Sequence, residues 1–179
     1  HEPQALAGLL AGLLVSGFAM QAHGNSRPAR GSDHQFSHLW EMENLQVDGE
    51  PAAHGACVGV GCVAMLAMYE WLIAQPAAAI AAAAAQAHDG QDEAALSREI
   101  AAAFGHEEFR AAARGEMDAK AASGSRRARL EQLVRAWPAL RAQLKRQLIG
   151  ARDMQQRLAT VGGASHPEEL GIGAARFAA

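Results

Sequence analysis

Three histidines stand near one another in the sequence, at His34, His38 and His54. Neutral imidazole is the commonest metal ligand, and it titrates near neutral pH, so it also moves protons. A catalytic zinc-type site takes about three protein ligands and keeps one position open. The chemistry such a cluster points to is metal ligation, with two ligands within reach. His34 and His38 are four residues apart, so on a helix they share one face, one turn apart. Ser32 and Gln35 have the S-x-x-Q spacing of a capping box, which predicts a helix start near Asp33 with His34 in its first turn. His54 follows a polar turn, Gln46 to Ala53, at the head of a second helix. Two antiparallel helices joined there would return His54 to the side of His34. No Asp or Glu stands out as a third ligand.

Composition says what carries these residues. Half of the 179 residues are hydrophobic, aromatics are 5%, and alanine, the best helix former, is abundant. Val, Ile, Thr, Tyr and Phe are sparse and do not alternate, so strands are unsupported. The fold class is all-α: an antiparallel helical bundle of about seven to nine helices, residues 1–179 forming a single domain with its own core.

Taken in order, Glu2 to Gln21 is an apolar helical run. It sits at the lower edge of bilayer-spanning length, but it lacks a basic n-region and an initiator Met. It reads as a buried core helix, with Gly8, Gly12 and Ser16 spaced four apart for close packing. A start inside such a helix implies that the sequence begins part-way along a longer protein. His23 to Gly31 is a Gly/Ser/Asn/Pro loop. Its Ser26 and Arg27, next to His34, are candidates to hold a phosphate, for which the guanidinium fork is well shaped.

Asp33 to Leu45 is the first histidine helix, with Phe36, Leu39, Trp40 and Met42 on its apolar side. Val47-Asp-Gly-Glu-Pro makes the turn, and His54 to Gln75 is the second long helix. Gly55, Gly59 and Gly61 each cost it about 1 kcal/mol relative to Ala, a cost that implies close backbone approach by another helix or a ligand. Pro76 ends that helix or begins the next. Helices follow over Ala77–His88, Gln91–Phe104 and Glu107–Ala122. Arg126–Gln147 is a basic region in which Pro138 kinks the helix or starts a new one. A last helix spans Arg152–Val161, and His166-Pro-Glu-Glu-Leu-Gly is a short capped turn.

The tract Arg27-Pro-Ala-Arg-Gly-Ser-Asp-His-Gln-Phe-Ser-His-Leu-Trp-Glu-Met-Glu, with His54-Gly-Ala-Cys-Val-Gly-Val-Gly after it, resembles the bacterial sn-glycerol-1-phosphate dehydrogenases. These lie in the superfamily of dehydroquinate synthases and iron-containing alcohol dehydrogenases. Tyr69-Glu-Trp-Leu, Trp137-Pro-Ala-Leu-Arg and His166-Pro-Glu-Glu-Leu-Gly-Ile are similar to the C-terminal half of that branch, so the likeness runs through nearly the whole chain. It implies one divalent metal (zinc, nickel or iron) held by an Asp or Glu and two histidines. Matched by motif, those histidines are His34 and His54, while His38 resembles a catalytic residue of the substrate site.

The family's carboxylate ligand and its glycine-rich NAD(P) loop would precede this segment, and no G-x-G-x-x-G or GGG run is present. The resemblance therefore implies a C-terminal metal- and substrate-binding domain, inactive alone, of an enzyme acting on a small phosphorylated substrate. It would be homo-oligomeric at full length. Asp33 stands where the family more often has Glu, and Arg30 where it tends to have a small residue. Competing readings are a glycerol or alcohol dehydrogenase, a dehydroquinate-synthase-like enzyme, and a non-catalytic helical interaction module.

Charge narrows the partners. The net charge is −3. Residues 32–50 carry five acids and no Lys or Arg, and residues 126–157 carry nine Lys or Arg and two acids. The basic region has no interleaved aromatics and no DNA-binding motif, so no nucleic-acid partner is expected, and no membrane partner either. Cys57 and Cys62 lie five apart on different helical faces and read as reduced, buried thiols of a cytoplasmic protein.

Overall fold

The computed structural model describes residues 2–26, 29–87, 92–122 and 125–178. The chain is all-α, as its composition predicts, apart from one short hairpin. The helices are α1 (Pro3–His23), α2 (Asp33–Met42), α3 (His54–Ala74), α4 (Ala77–Gln86), α5 (Glu93–Ala103), α6 (Glu107–Ala122), α7 (Arg126–Gln147), α8 (Ala151–Thr160) and α9 (Ala174–Ala178). A 3-10 turn spans Pro167–Leu170. By contact the residues fall into two compact units, one of His1–Trp71 with Leu148–Ala179 and one of Leu72–Gln147.

The hairpin corrects the expectation that strands are absent. Strand β1 (Gln46–Val47) pairs antiparallel with β2 (Glu50–Pro51). Asp48 and Gly49 between them have φ of 54° and 84°. Positive φ at both central residues is the tight-hairpin geometry whose twist matches the strands, and Asp-Gly is among its preferred sequences. This turn reverses the chain between α2 and α3.

The core of the first unit gathers Trp40, Leu45, Cys57, Val60, Leu170 and Ile172. Its aromatic edge is Phe36, Trp40 and Phe177, with ring centroids 5.8 to 6.2 Å apart. Helix α2 thus lays one side on α3 and the C-terminal segment, which frees its other side for the histidines. Two of the three α3 glycines meet the predicted close approach. A Cβ on Gly61 would lie 2.5 Å from the Asp33 carbonyl oxygen, and one on Gly59 would lie 3.0 Å from that of Ala164, whereas Gly55 faces open space. Glu70 of α3 accepts a hydrogen bond from the Ala151 N–H at 2.9 Å. It places a carboxylate at the positive end of α8.

Helix α1 departs from the core-helix expectation. It starts with Pro at its first turn and ends on Gly24 in the left-handed region, the usual proline-in, glycine-out punctuation. None of its residues is buried, and Leu6, Leu9, Leu10, Leu13, Leu14 and Phe18 are all more than half exposed. Among the described residues no neighbour lies within 4 Å of a Cβ at Gly8 or Gly12, so the small-residue spacing meets no packing partner among them. Its apolar residues are spread round the whole helix, so its sequence matches no single core face. α1 and α3 are each long and apolar enough to cross a bilayer by length and composition.

In the second unit, α4 packs on α7 and α5 on α6. Trp137 and Leu96 are its buried large side chains. Pro138 sits inside an uninterrupted α7. Arg141 donates to the Ile73 carbonyl at 2.7 Å, which satisfies one of the terminal carbonyls of α3.

Candidate functional site

The two histidine helices meet as the spacing predicts. The rings of His34 and His54 lie 5.5 Å apart between centroids, and His38 lies 6.2 Å from each. Two imidazoles bound through nitrogen to one ion, at about 2.0–2.1 Å, hold their ring centres roughly 5 Å apart. The His34–His54 pair comes nearer to that spacing than either pair with His38.

Carboxylates take up the Nδ1 side of all three rings. Asp33 Oδ2 lies 2.9 Å from His34 Nδ1. Glu41 reaches two rings, with Oε1 in close hydrogen-bond contact with His54 Nδ1 and Oε2 3.4 Å from His38 Nδ1. The buried Ser37 hydroxyl donates to Glu41 Oε1 at 2.8 Å and lies 3.0 Å from His54 Nδ1. Hydrogen bonds from His54 and then Ser37 hold the Glu41 carboxyl down to about 2, so it is ionised at neutral pH. His38 Nε2 is buried and has no hydrogen-bond partner among the described residues.

Glu41 is the residue the sequence reading missed. Its signal was helical spacing: it stands four residues after Ser37 and three after His38, on the histidine face. The predicted capping box is not formed, since Ser32 makes no side-chain cap bond. The first turn is closed instead by His34 N–H to Gly31 O at 3.2 Å and Gln35 N–H to Ser32 O at 3.1 Å. Asp33, the first residue of α2, also approaches Cys62. Burial and then Asp33 push that thiol up to about 11, and burial likewise raises Cys57. Both are unbridged, and their raised pKa keeps them as thiols at neutral pH in the chain as it stands.

Ser26 is half-buried and its carbonyl accepts from the Ala29 N–H at 3.0 Å. Arg27 lies outside the described residues. Among the described residues no three His, Cys, Asp or Glu side chains gather into a metal set. What the cluster has in common with a metal half-site is two rings near that spacing, each with its Nδ1 engaged by a carboxylate. The described strands form one two-stranded antiparallel hairpin.

Comparison with known proteins gives this arrangement a context. A stretch of 67 residues is 40% identical to glycerol-1-phosphate dehydrogenase [NAD(P)+] of Halalkalibacterium halodurans, covering 37% of this chain and 17% of that protein. The chain's relatives are glycerol-1-phosphate dehydrogenases. The Methanosphaera stadtmanae protein of that name is 47% identical over 55 residues, 31% of this chain and 15% of that protein. That of Methanothrix thermoacetophila is 35% identical over 91 residues, 50% and 24% respectively. The chain thus spans less than a quarter of the length of these glycerol-1-phosphate dehydrogenases. The aligned share, half of the chain or less, is also shorter than the nearly full-length likeness read from the motifs. No family model and no solved structure matches the chain.

Proposed function

We propose that residues 1–179 act as the C-terminal helical metal- and substrate-binding domain of an oxidoreductase interconverting sn-glycerol 1-phosphate and dihydroxyacetone phosphate. The observation that carries this reading is the His34–His54 pair, 5.5 Å apart with both Nδ1 atoms on carboxylates. His34 and His54 would hold a divalent metal (zinc or nickel, or iron) with a third ligand from outside this chain. Bound there, the metal supplies a Lewis acid that polarises the substrate oxygen.

The chain's own residues do the rest. Asp33 and Glu41 orient the two imidazoles. His38, whose Nε2 is buried and unpartnered among the described residues, moves the proton to or from the substrate oxygen. Ser26 and Arg27 hold the phosphate. NAD(P) is assigned to a dinucleotide-binding domain elsewhere in the longer protein, because the described residues contain nothing to hold it. The chain alone is therefore inactive, and the full-length protein is a cytoplasmic homo-oligomer.

Metal content and affinity of the purified chain test this reading. About one zinc or nickel per chain is expected, lost in both His34→Ala and His54→Ala. A chain extended N-terminally to include the missing carboxylate should bind more tightly. If that longer chain also takes up no metal, the enzyme mechanism is wrong. Oxidation of glycerol 1-phosphate by the 179-residue chain would overturn its assignment as an inactive part.

One observation favours a second reading, a non-catalytic helical interaction module. No residue of α1 is buried, and six of its Leu and Phe side chains are more than half exposed; contiguous exposed apolar surface marks interaction sites. This reading predicts no metal affinity at the histidines. A glycerol or alcohol dehydrogenase, or a dehydroquinate-synthase-like enzyme, would share the metal site and differ in the substrate that a full-length assay identifies.

A further inference from the structure

We propose that Glu41 is a positioning residue whose one carboxylate fixes two imidazoles, those of His54 and His38, in the Nδ1–H tautomer and so turns both Nε2 lone pairs to the site. This rests on the reading of the histidine cluster as a metal and substrate site.

The assignment follows from counting protons. Ser37 is fully buried, and its hydroxyl has one hydrogen to give. An ionised carboxylate only accepts, so that hydrogen goes to Glu41 Oε1, 2.8 Å away. The Ser37 oxygen then faces His54 Nδ1 at 3.0 Å with no hydrogen left for it, and Glu41 Oε1 faces the same nitrogen. Two oxygens against a bare ring nitrogen would be three lone pairs meeting in a partly buried place. A proton on Nδ1, shared between the two oxygens, removes that conflict. His54 Nε2 is then the unprotonated nitrogen, the one that can ligate.

Glu41 Oε2 repeats the arrangement more loosely at His38 Nδ1, 3.4 Å away. The buried, partnerless His38 Nε2 is what this leaves over. As a lone pair rather than an N–H it is positioned to take a proton. His34 gets the same tautomer from a different residue, Asp33, so Glu41 governs only the two rings it touches. Outer carboxylates on ligating histidines fix tautomer and ring orientation, and losing one costs about 10- to 100-fold in metal affinity.

The test is long-range proton–nitrogen NMR of the 179-residue chain at about pH 8, above the usual imidazole titration near 6.5. His38→Ala and His54→Ala assign the signals. Wild type should show His38 and His54 as Nδ1–H. Glu41→Ala should move both toward Nε2–H and leave His34 unchanged. Glu41→Gln keeps the shape of the side chain without its charge, so it should fold like wild type and weaken the bias in the same direction. A zinc titration of the same proteins should show affinity falling about 10- to 100-fold in Glu41→Ala.

The proposal is overturned if His54 is Nε2–H or doubly protonated in wild type, or if it stays Nδ1–H in both Glu41 variants. Zinc lost on His34→Ala and His54→Ala with a tautomer indifferent to Glu41 would keep the metal-site reading and sink this one. A Glu41-dependent tautomer in a chain that takes up no zinc would uphold the positioning and count against the metal-site reading.

Discussion

At the scale of single residues, α3 owes its closeness to α2 to one missing methyl group. Gly61→Ala would set a Cβ 2.5 Å from the Asp33 carbonyl oxygen, a backbone atom that yields only if α2 moves. Overpacking of this kind costs about 1–3 kcal/mol. Because Asp33 is hydrogen-bonded to His34, the displaced backbone is also the site's. Gly55→Ala, with nothing in its way, should instead stabilise by up to about 1 kcal/mol. Denaturant unfolding of the two variants checks the contrast; equal effects of the same sign, or a Gly61→Ala that loses no stability, would mean the helices are not seated as described. The histidine spacing made His34 and His54 legible in sequence, and their glycine neighbours announced a close approach. Glu41 was missed although its spacing put it on the histidine face, because its contact with His54 joins residues 13 positions apart. A list of acids between residues 32 and 50 looks like a charge run until one of them is seen to face two imidazoles.

At the scale of elements, the turn at Pro167–Leu170 shows how short structure is made to hold. Glu169 Oε2 accepts from the Ser165 N–H at 2.6 Å and the His166 N–H at 2.8 Å, and His166 Nδ1 accepts from the Glu168 N–H. Those backbone donors, Ser165 first, hold the Glu169 carboxyl below its ordinary 4.5. A carboxyl whose pKa is lower folded than unfolded stabilises the fold above its unfolded pKa, and this is lost as pH falls through the folded value. Wild type should therefore lose thermal stability below about pH 4.5 more steeply than Glu169→Gln, which has no proton to gain there. Melting curves from about pH 7 to about pH 3 would show it; parallel curves would mean the cap contributes nothing. The capped turn was legible from His166-Pro-Glu-Glu because its bonds are local. The hairpin was not read as one, although Asp48-Gly49 carried its turn chemistry. Two-residue strands leave no alternation to detect. Helix α1 was misjudged for the opposite reason: hydrophobicity says that a helix wants cover, not that cover lies within the same chain.

At the scale of the molecule, the first unit is assembled from two separate stretches of the chain, between which the second unit's residues lie in sequence. Leu170 and Ile172 are 2% and 0% exposed and pack with Trp40, Cys57 and Val60, and Arg176 reaches back to Glu43 at 2.6 Å. Ile172→Ala should cost about 2–5 kcal/mol and loosen α2 along with the C-terminal turn, read by thermal melting and by faster amide exchange across residues 36–45. Protection there equal to wild type would separate α2 from that core. The order of the sequence then becomes an order in time. Chains emerge N-terminal end first, and contacts between distant segments form late because they must close a long loop. The contacts of residues 72–147 are available while synthesis is still under way. His34, His38 and His54 are made before residues 72–147, yet the helix bearing two of them gains the floor beneath it only after Leu170 and Ile172 exist. A stalled or clipped chain would keep every histidine and lack the support that sets α2 against α3.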